Sequence, residues 1–236
     1  MPTWKSYWEN NPKLFMRVMQ NSTRYFSKKL LKFNLITESD IILDYGCGPG
    51  NLAEGLNGKI GRYYGVDISK TYIQQAKNKM DAFHEFYFIH LNSNNPFNEL
   101  KQLSEIGQLF DCIIVFSVIQ YFNNKEEVSN LLKNCKSLLS PSGKIILADI
   151  LENEKGVLKD LWSICLHSLA NGYFISFLFF VARLKFSNYN IMKNKHKLLH
   201  LSIEEVEGIC LKEGFTCSIL PKITLQKSRN SFCITL

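Results

Sequence analysis

The sequence predicts an α/β fold: a doubly wound sheet of five parallel strands, extended to seven by an antiparallel carboxy-terminal hairpin, with helices on both faces. Three observations predict it. From residue 41 onward, short apolar strands alternate with helices that carry one polar face. A glycine-rich loop inside "IILDYGCGPGN" separates the first strand from the first helix of that series. Two strand-like segments at the end are joined by a polar segment short enough for antiparallel pairing. With 236 residues the chain can bury the core of one such domain, 1–236, and still carry an insertion.

Residues 13–33, "KLFMRVMQNSTRYFSKKLLKF", place Leu14, Phe15, Val18, Met19, Tyr25, Phe26, Leu30 and Leu31 at helical spacing. Pro12 suits the first turn of that helix, where its missing N–H costs nothing. Residues 1–35 therefore read as an amino-terminal helical lid, opened by Trp4, Tyr7 and Trp8. Strands are expected at Ile41–Tyr45, Tyr63–Asp67, Glu85–Leu91, Phe110–Phe116 and Lys144–Asp149. Helices are expected between them, at Asn51–Asn57, Lys70–Ala82, Phe97–Glu105 and Lys125–Leu139. Asn123 or Asn124 can cap the fourth, with Glu126 and Glu127 in its first turn. "SPSG", Ser140 to Gly143, reads as the turn that ends this helix and starts the fifth strand.

Residues 153–200 break the rhythm and read as an inserted helical cap. Leu158, Leu161, Trp162, Cys165 and Leu169 form one apolar stripe, and Tyr173–Ala182 is apolar nearly all round. That run is shorter than the roughly 18 to 20 residues a membrane span needs, and His167, Asn171 and Gly172 interrupt any extension. A helix lying on a membrane surface over residues 157–184 is the alternative. The alternation then resumes. Ser202 with Glu205 fits a capping box for a helix Ile203–Lys212, Gly214 ends it, and strands Phe215–Leu220 and Ser231–Leu236 close the chain.

Composition narrows the class. A hydrophobic fraction of 46% and a charged fraction of 21% are those of an ordinary globular protein. The start, "MPTWKSYWENNP", lacks the basic patch and apolar run of a signal peptide. Seven cysteines are scattered with no CxxC pair, which argues for reduced thiols in a cytoplasmic protein and against a metal site. The net charge of +7 permits an acidic partner without demanding one, with local clusters at Lys28-Lys29-Lys32 and Lys193-Lys195-Lys197.

The glycine loop poses the chemical question. Glycines between a buried strand and a helix let the backbone approach a ligand, and the helix start offers free N–H groups. A dinucleotide loop reads G-x-G-x-x-G, but here Asn51 stands where the third glycine would fall and Gly50 comes one residue early. Pro49 also removes one N–H from the loop. Asp67, about 20 residues after Gly46, can accept both hydroxyls of an adenosine ribose in either cofactor class. Asp44, two residues before Gly46, suits a cationic or ammonium-bearing ligand and is a poor neighbour for pyrophosphate.

Taken as a set, several segments resemble the class I, Rossmann-like S-adenosylmethionine-dependent methyltransferases. "ILDYGCGPG" is similar to that family's first motif, "YYGVDIS" to its second, "FDCIIVFSVIQYF" to its fourth-strand motif and "LLSPSGKIILAD" to its fifth-strand segment. "LSIEEVEGICLKEGFTCSIL" looks like the helix and strand that follow a substrate cap in small-molecule members. The resemblance spans roughly residues 41–236. It implies S-adenosyl-L-methionine as cofactor, with Gly46, Cys47, Gly48 and Gly50 against its methionine part and ribose. It further implies Asp67 on the ribose diol, Ile68 packed on adenine, and Phe116 and Ser117 near the methyl-bearing sulfur. Where the family often has an acid for the adenine amino group, this sequence has "HLNSNNPF", so Asn92 or Ser93 must serve.

On the acceptor side, Tyr121 follows the fourth strand, and His167 on the cap could act as a general base near neutral pH. Tyr7 and Trp8 are substrate-binding candidates on the rim. Arg24 could bind the cofactor carboxylate or be a solvated helix charge. His84, His90 and Asp111 read as surface or core residues, and Asp149 ends the fifth strand where it could face the site. The expected function is in-line methyl transfer to an apolar small-molecule or lipid-like acceptor under the cap, with peripheral membrane contact through 157–184 as a further expectation. A nucleic-acid methyltransferase is the alternative the charge prompts. "FSVIQY" is unlike the Asn/Asp-Pro-Pro-aromatic signature of base-amino methylases, which argues against a nucleic-acid partner. A non-catalytic S-adenosylmethionine-binding protein keeps the same residues. The loop, Asp44 and the terminal hairpin weigh against a nicotinamide oxidoreductase.

Overall fold

The computed structural model describes residues 16–92, 100–102, 107–152, 156–184 and 197–236. Helix α1, Met16–Lys32, is followed by β1, Ile41–Tyr45, α2, Asn51–Leu56, β2, Arg62–Asp67, α3, Lys70–Met80, and β3, Phe86–His90. Next come β4, Phe110–Phe116, a 3₁₀ turn at Ile119–Tyr121, α4, Lys125–Lys136, and β5, Leu139–Ile150. The cap helices are α5, Val157–Ala170, and α6, Phe174–Leu184; α7, Ile203–Lys212, β6, Thr216–Ile219, and β7, Asn230–Thr235, complete the order.

The strands form one seven-stranded sheet in the order β3-β2-β1-β4-β5-β7-β6. β1 pairs in parallel with β2 and β4, and β7 pairs antiparallel with both β5 and β6. The fold is the one the sequence predicts, with β7 rather than β6 next to the parallel strands. Both faces are buried. Leu43, Phe110, Ile113 and Ile145 pack with Val128, Leu131 and Leu132 of α4 and with Val206 and Cys210 of α7. Ile42, Cys112, Ile114 and Ile146 pack on the other face with Phe26 and Leu30 of α1, Leu52 of α2 and Ile73 of α3. Strand alternation sends successive side chains to opposite layers, so the central strands read as continuous apolar runs.

Boundaries differ from expectation where local chemistry overrides the pattern. "SPSG" is not a turn: β5 runs from Leu139, with Phe110 opposite Leu139 but Cys112 opposite Lys144. The extra residues bulge, tied down by Ser140 Oγ donating to Asp111 at 2.9 Å. Accordingly α4 stops at Lys136, because Leu138 and Leu139 are drawn into the core. α3 stops at Met80 rather than 82, where Phe83 N–H donates back to Met80 at 2.9 Å. The strand edges at Glu85, Leu91, Phe215, Leu220 and Leu236 fall outside the ladders, while Arg62 and Asn230 join them. The expected helix at 97–105 lies largely outside the described residues, as do the start of the amino-terminal helix and residues 185–196 of the cap.

The predicted caps form. Asn124 Oδ1 accepts from Glu127 N–H at 3.0 Å, and Ser202 with Glu205 makes the full capping box. The apolar stripe of α5 is split: Leu161 and Cys165 pack against Val18, Ile164 and Phe177, while its other members do not. Leu158, Trp162 and Leu169 are exposed, whereas Asp160, Ser163, Ile164 and Ser168 are buried. An ion pair and two hydroxyl-to-carbonyl bonds satisfy the polar members of that inner face.

Candidate active site

Strand order reverses at β1, between β2 on one side and β4 on the other, and the carboxy ends of parallel strands meet a crevice at such a switch point. The glycine loop lies there. Gly46 and Cys47 donate their N–H groups to Val66 O at 2.8 and 3.0 Å, pinning the loop across the end of β2. Gly46 has φ +84°, and a Cβ on it would sit 2.3 Å from Val118 Cγ2, so both conformation and space require glycine. Gly50, at φ +75°, caps α2, and a Cβ there would press on Ala76 at 3.0 Å. A Cβ on Gly48 would meet nothing within 4 Å, so the loop is packed from below and open at its middle.

Asp67, at the end of β2, holds that loop. One carboxylate oxygen accepts from Gly48 N–H at 2.9 Å and the other from Ser69 N–H at 2.8 Å. Burial raises its pKa, and the hydrogen bonds from Ser69 and Gly48 oppose the rise. Asp44 lies deeper, on the face of β1 shared with Ile42. Burial lifts it to about 7, against the opposing hydrogen bond from the Tyr63 hydroxyl and with help from the charge of Asp67. Burial also pushes the Cys47 thiol up, so it is not poised as a thiolate nucleophile. Ile68 is half-buried against the core, and Asn92 follows Leu91, whose N–H bonds Asp67 O at 2.9 Å. Asn92 thus follows directly on a residue bonded to the end of β2; Ser93 lies outside the described residues.

The ends of β4 and β5 carry a network that spacing alone did not reveal. Ser117 and Asp149 both adopt left-handed backbone, φ +59° and +69°, which for such residues stores roughly 1 to 3 kcal/mol. The Ser117 hydroxyl donates to Asp149 at 2.5 Å. Arg229, from the β6–β7 connection, lies 3.9 Å from Asp149 and 2.8 Å from Asp160 of α5. Asp160 also accepts from Ser228 N–H at 2.9 Å. Burial raises Asp149, with Arg229 opposing. Two buried oxygens here lack a hydrogen-bond partner, Asp149 Oδ1 and Gln120 Oε1. Phe116 stacks on Phe26 of α1 with centroids 4.3 Å apart, seating the amino-terminal helix against the end of β4.

The acceptor-side candidates are dispersed. Tyr121 ends the 3₁₀ turn after β4, half-buried, its N–H donating to Val118 O at 3.0 Å. His167 is brought together with Tyr25 of α1, edge-on at 5.6 Å, and with Tyr173, whose hydroxyl lies 2.7 Å from Nδ1. Burial, aided by the charge of Lys28, lowers the His167 pKa, so the ring is neutral at pH 7. Tyr7 and Trp8 lie outside the described residues. Arg24 and His84 are exposed, His90 is exposed with Nε2 3.1 Å from Ile68 O, and Asp111 is structural, accepting from Ile41 N–H at 2.9 Å. Arg229 and Asp160 were missed because they sit outside any motif and meet only in the fold. Among the described residues no group of His, Cys, Asp and Glu could hold a metal ion.

Comparison with known proteins agrees with this geometry. Residues 43–145 match a family model described as a methyltransferase domain. A ubiquinone biosynthesis O-methyltransferase of Coxiella burnetii is 28% identical over 130 residues, 55% of this chain and 52% of the relative. One from Bradyrhizobium diazoefficiens is 25% identical over 145 residues, 61% and 53%. The chain thus spans about half the length of the curated relatives it matches. Among solved structures, the magnesium protoporphyrin IX methyltransferase of Synechocystis with bound S-adenosylhomocysteine superposes with a TM-score of 0.61 at 14% identity, covering 98% of this chain and 97% of that one. A mitomycin 7-O-methyltransferase superposes at 0.64 and 14%, covering 99% and 60%. From the glycine loop on the first strand to the antiparallel seventh strand, motif and topology agree: residues 43–145 are similar to a methyltransferase domain, and the chain has the fold of these S-adenosylmethionine-dependent methyltransferases.

Proposed function

We propose that this chain transfers a methyl group from S-adenosylmethionine to an apolar small molecule held beneath the α5–α6 cap. The observation that carries the reading is the open cradle at Gly48, bounded by Asp67 and facing strand ends where Asp149 Oδ1 and Gln120 Oε1 lack partners. Those residues fit the cofactor: a ligand rich in hydroxyl and ammonium donors suits buried acceptors that are otherwise costly to leave unpaired. Bound S-adenosylmethionine supplies a sulfonium-activated methyl group for in-line displacement.

The chain's own residues would divide the work of binding. Gly46, Cys47, Gly48 and Gly50 would line the methionine arm and ribose. A carboxylate has about four acceptor sites, so Asp67 keeps room for two ribose hydroxyls after its two backbone bonds. Ile68 would cover adenine, with Asn92 and Ser93 on its amino group. Asp44 would counter the positive charge of the cofactor, and Phe116 and Ser117 would border the reacting methyl. Tyr121 would orient the acceptor, with Tyr7 and Trp8 of the 1–35 lid closing over it. Neutral His167 would take the acceptor's proton at Nε2 when Nδ1 donates to Tyr173, whose phenol stays protonated because burial raises it to about 12.

A lipid-like acceptor is favoured by one further observation. Leu158, Trp162, Leu166, Leu169, Ile175, Leu178, Phe179 and Val181 are all exposed on two consecutive helices. No helix among the described residues is long and apolar enough to cross a membrane, so these helices would lie on its surface. Titration calorimetry with S-adenosylmethionine tests the core reading, and absence of binding sinks it. Flotation with anionic liposomes tests the membrane contact. Loss of flotation on deleting 157–184, with cofactor binding intact, supports it.

A further inference from the structure

A cavity of about 500 Å³ opens between α1, α5 and the β6–β7 connection, within the range of small-molecule sites. Tyr25 and Leu225 give it an apolar wall, while Lys159, Lys222 and Lys227 converge on it beside His167. Among the described residues no carboxylate stands in that wall. Lys222 is committed to Arg229 O at 2.9 Å and Asn230 Oδ1 at 3.3 Å. Among the described residues no carboxylate pairs with Lys159 or Lys227. The acid next in sequence to Lys159 is Asp160, which points away, held by Arg229 and by Ser228 N–H. Positive charge thus collects in a concave, part-apolar wall with no acid among the described residues to compensate it, a field that draws in an anion.

We infer that this cavity binds the carboxylate or phosphate group of the methyl acceptor, so that the acceptor is an acid with an apolar body. The inference rests on the reading of this chain as a methyltransferase with its acceptor under the cap, and names the chemical class that reading leaves open. β5 ends where β7 begins, with Ile150 opposite Asn230, and the helix bearing Lys159 and His167 is tied through Asp160 and Arg229 to Asp149. Lysine suits the task because an ammonium is a mobile point charge that accepts either anion.

The test titrates the full chain, with and without S-adenosylhomocysteine, with 4-hydroxybenzoate and phenyl phosphate, using neutral 4-hydroxybenzamide as the match. The expected result is saturable binding of at least one acid about tenfold tighter than the amide, the weight of one charge-assisted hydrogen bond. Lys159→Gln combined with Lys227→Gln should remove that preference while leaving the melting temperature and S-adenosylhomocysteine affinity unchanged. Lys222 is retained because it braces the connection. No saturable binding of either acid, equal binding of the amide, or an unaffected double variant overturns the inference. So does binding to phosphatidylglycerol vesicles alone, lost in the double variant, which would assign the ammonium groups to lipid headgroups. Failure of the methyltransferase reading is a separate result: S-adenosylhomocysteine would then not bind, whatever the acids do.

Discussion

The glycine loop and the cap are opposite kinds of structure. In the loop, backbone conformation and packing leave one residue type at Gly46, and the surrounding polar groups are satisfied by named backbone N–H groups. On the cap, eight of the sixteen exposed large apolar side chains found among the described residues sit on two helices, and the inner face is held by polar groups. The difference is one of constraint: the loop admits one backbone conformation and one residue type, whereas the two helices present exposed apolar area with few fixed partners.

The harshest test of the rigid half is Gly46→Ala. Left-handed backbone and a contact of 2.3 Å with Val118 should together cost roughly 3 kcal/mol and weaken S-adenosylmethionine by more than about 100-fold in calorimetry. Adding Val118→Ala should recover the packing part alone; full recovery would show that backbone conformation does not matter there. Next in size is Arg229→Met, which leaves Asp160 and Asp149 buried without a cation. Urea denaturation should report a loss of about 3 kcal/mol, partly restored by Asp160→Asn. An unchanged midpoint would mean the cap is not tethered through this arginine.

Asp44 gives a pH signature. Its native pKa of about 7 exceeds the usual 3.8, so between these values the native state keeps a proton that the unfolded state has released. Its contribution to stability is present below pH 4 and is lost as pH rises to about 7, with a slope of at most about 1.4 kcal/mol per unit. Asp44→Asn should flatten that decline in melting curves taken from pH 5 to 8, and an identical decline in the variant would refute the role. The smallest effect belongs to the cap: Leu178→Ser with Phe179→Ser should shift stability by less than about 0.5 kcal/mol per site while reducing liposome flotation. A large drop in melting temperature would instead show that these side chains cover a core.

Most of the fold was legible because it rests on local rules. Alternating apolar runs gave the strands, Asn124 and Ser202 gave the helix starts, and Gly46 to Gly50 with Asp67 gave the loop across the ends of β1 and β2. The bulge at Ser140–Gly143 was misread as a turn because its partner, Asp111, is distant in sequence. Periodicity identified the stripe of α5 without saying which members pack: Leu161 and Cys165 do, whereas Leu158, Trp162 and Leu169 are exposed. The chain Ser117–Asp149–Arg229–Asp160 was invisible for the same reason: each residue is ordinary in its own segment, and only the order of β5, β7 and β6 brings them together.

That strand order bears on how the molecule is made. β7 is the last of the seven strands to leave the ribosome, yet it lies inside the sheet, with Phe232 and Ile234 buried between β5 and β6. Until it emerges, β5 presents an open edge and β6 has nothing to pair with. Before that the chain holds a glycine loop on a half-finished sheet, and closure of the sheet and arrival of Arg229 beside its two acids wait together for the 216–235 hairpin.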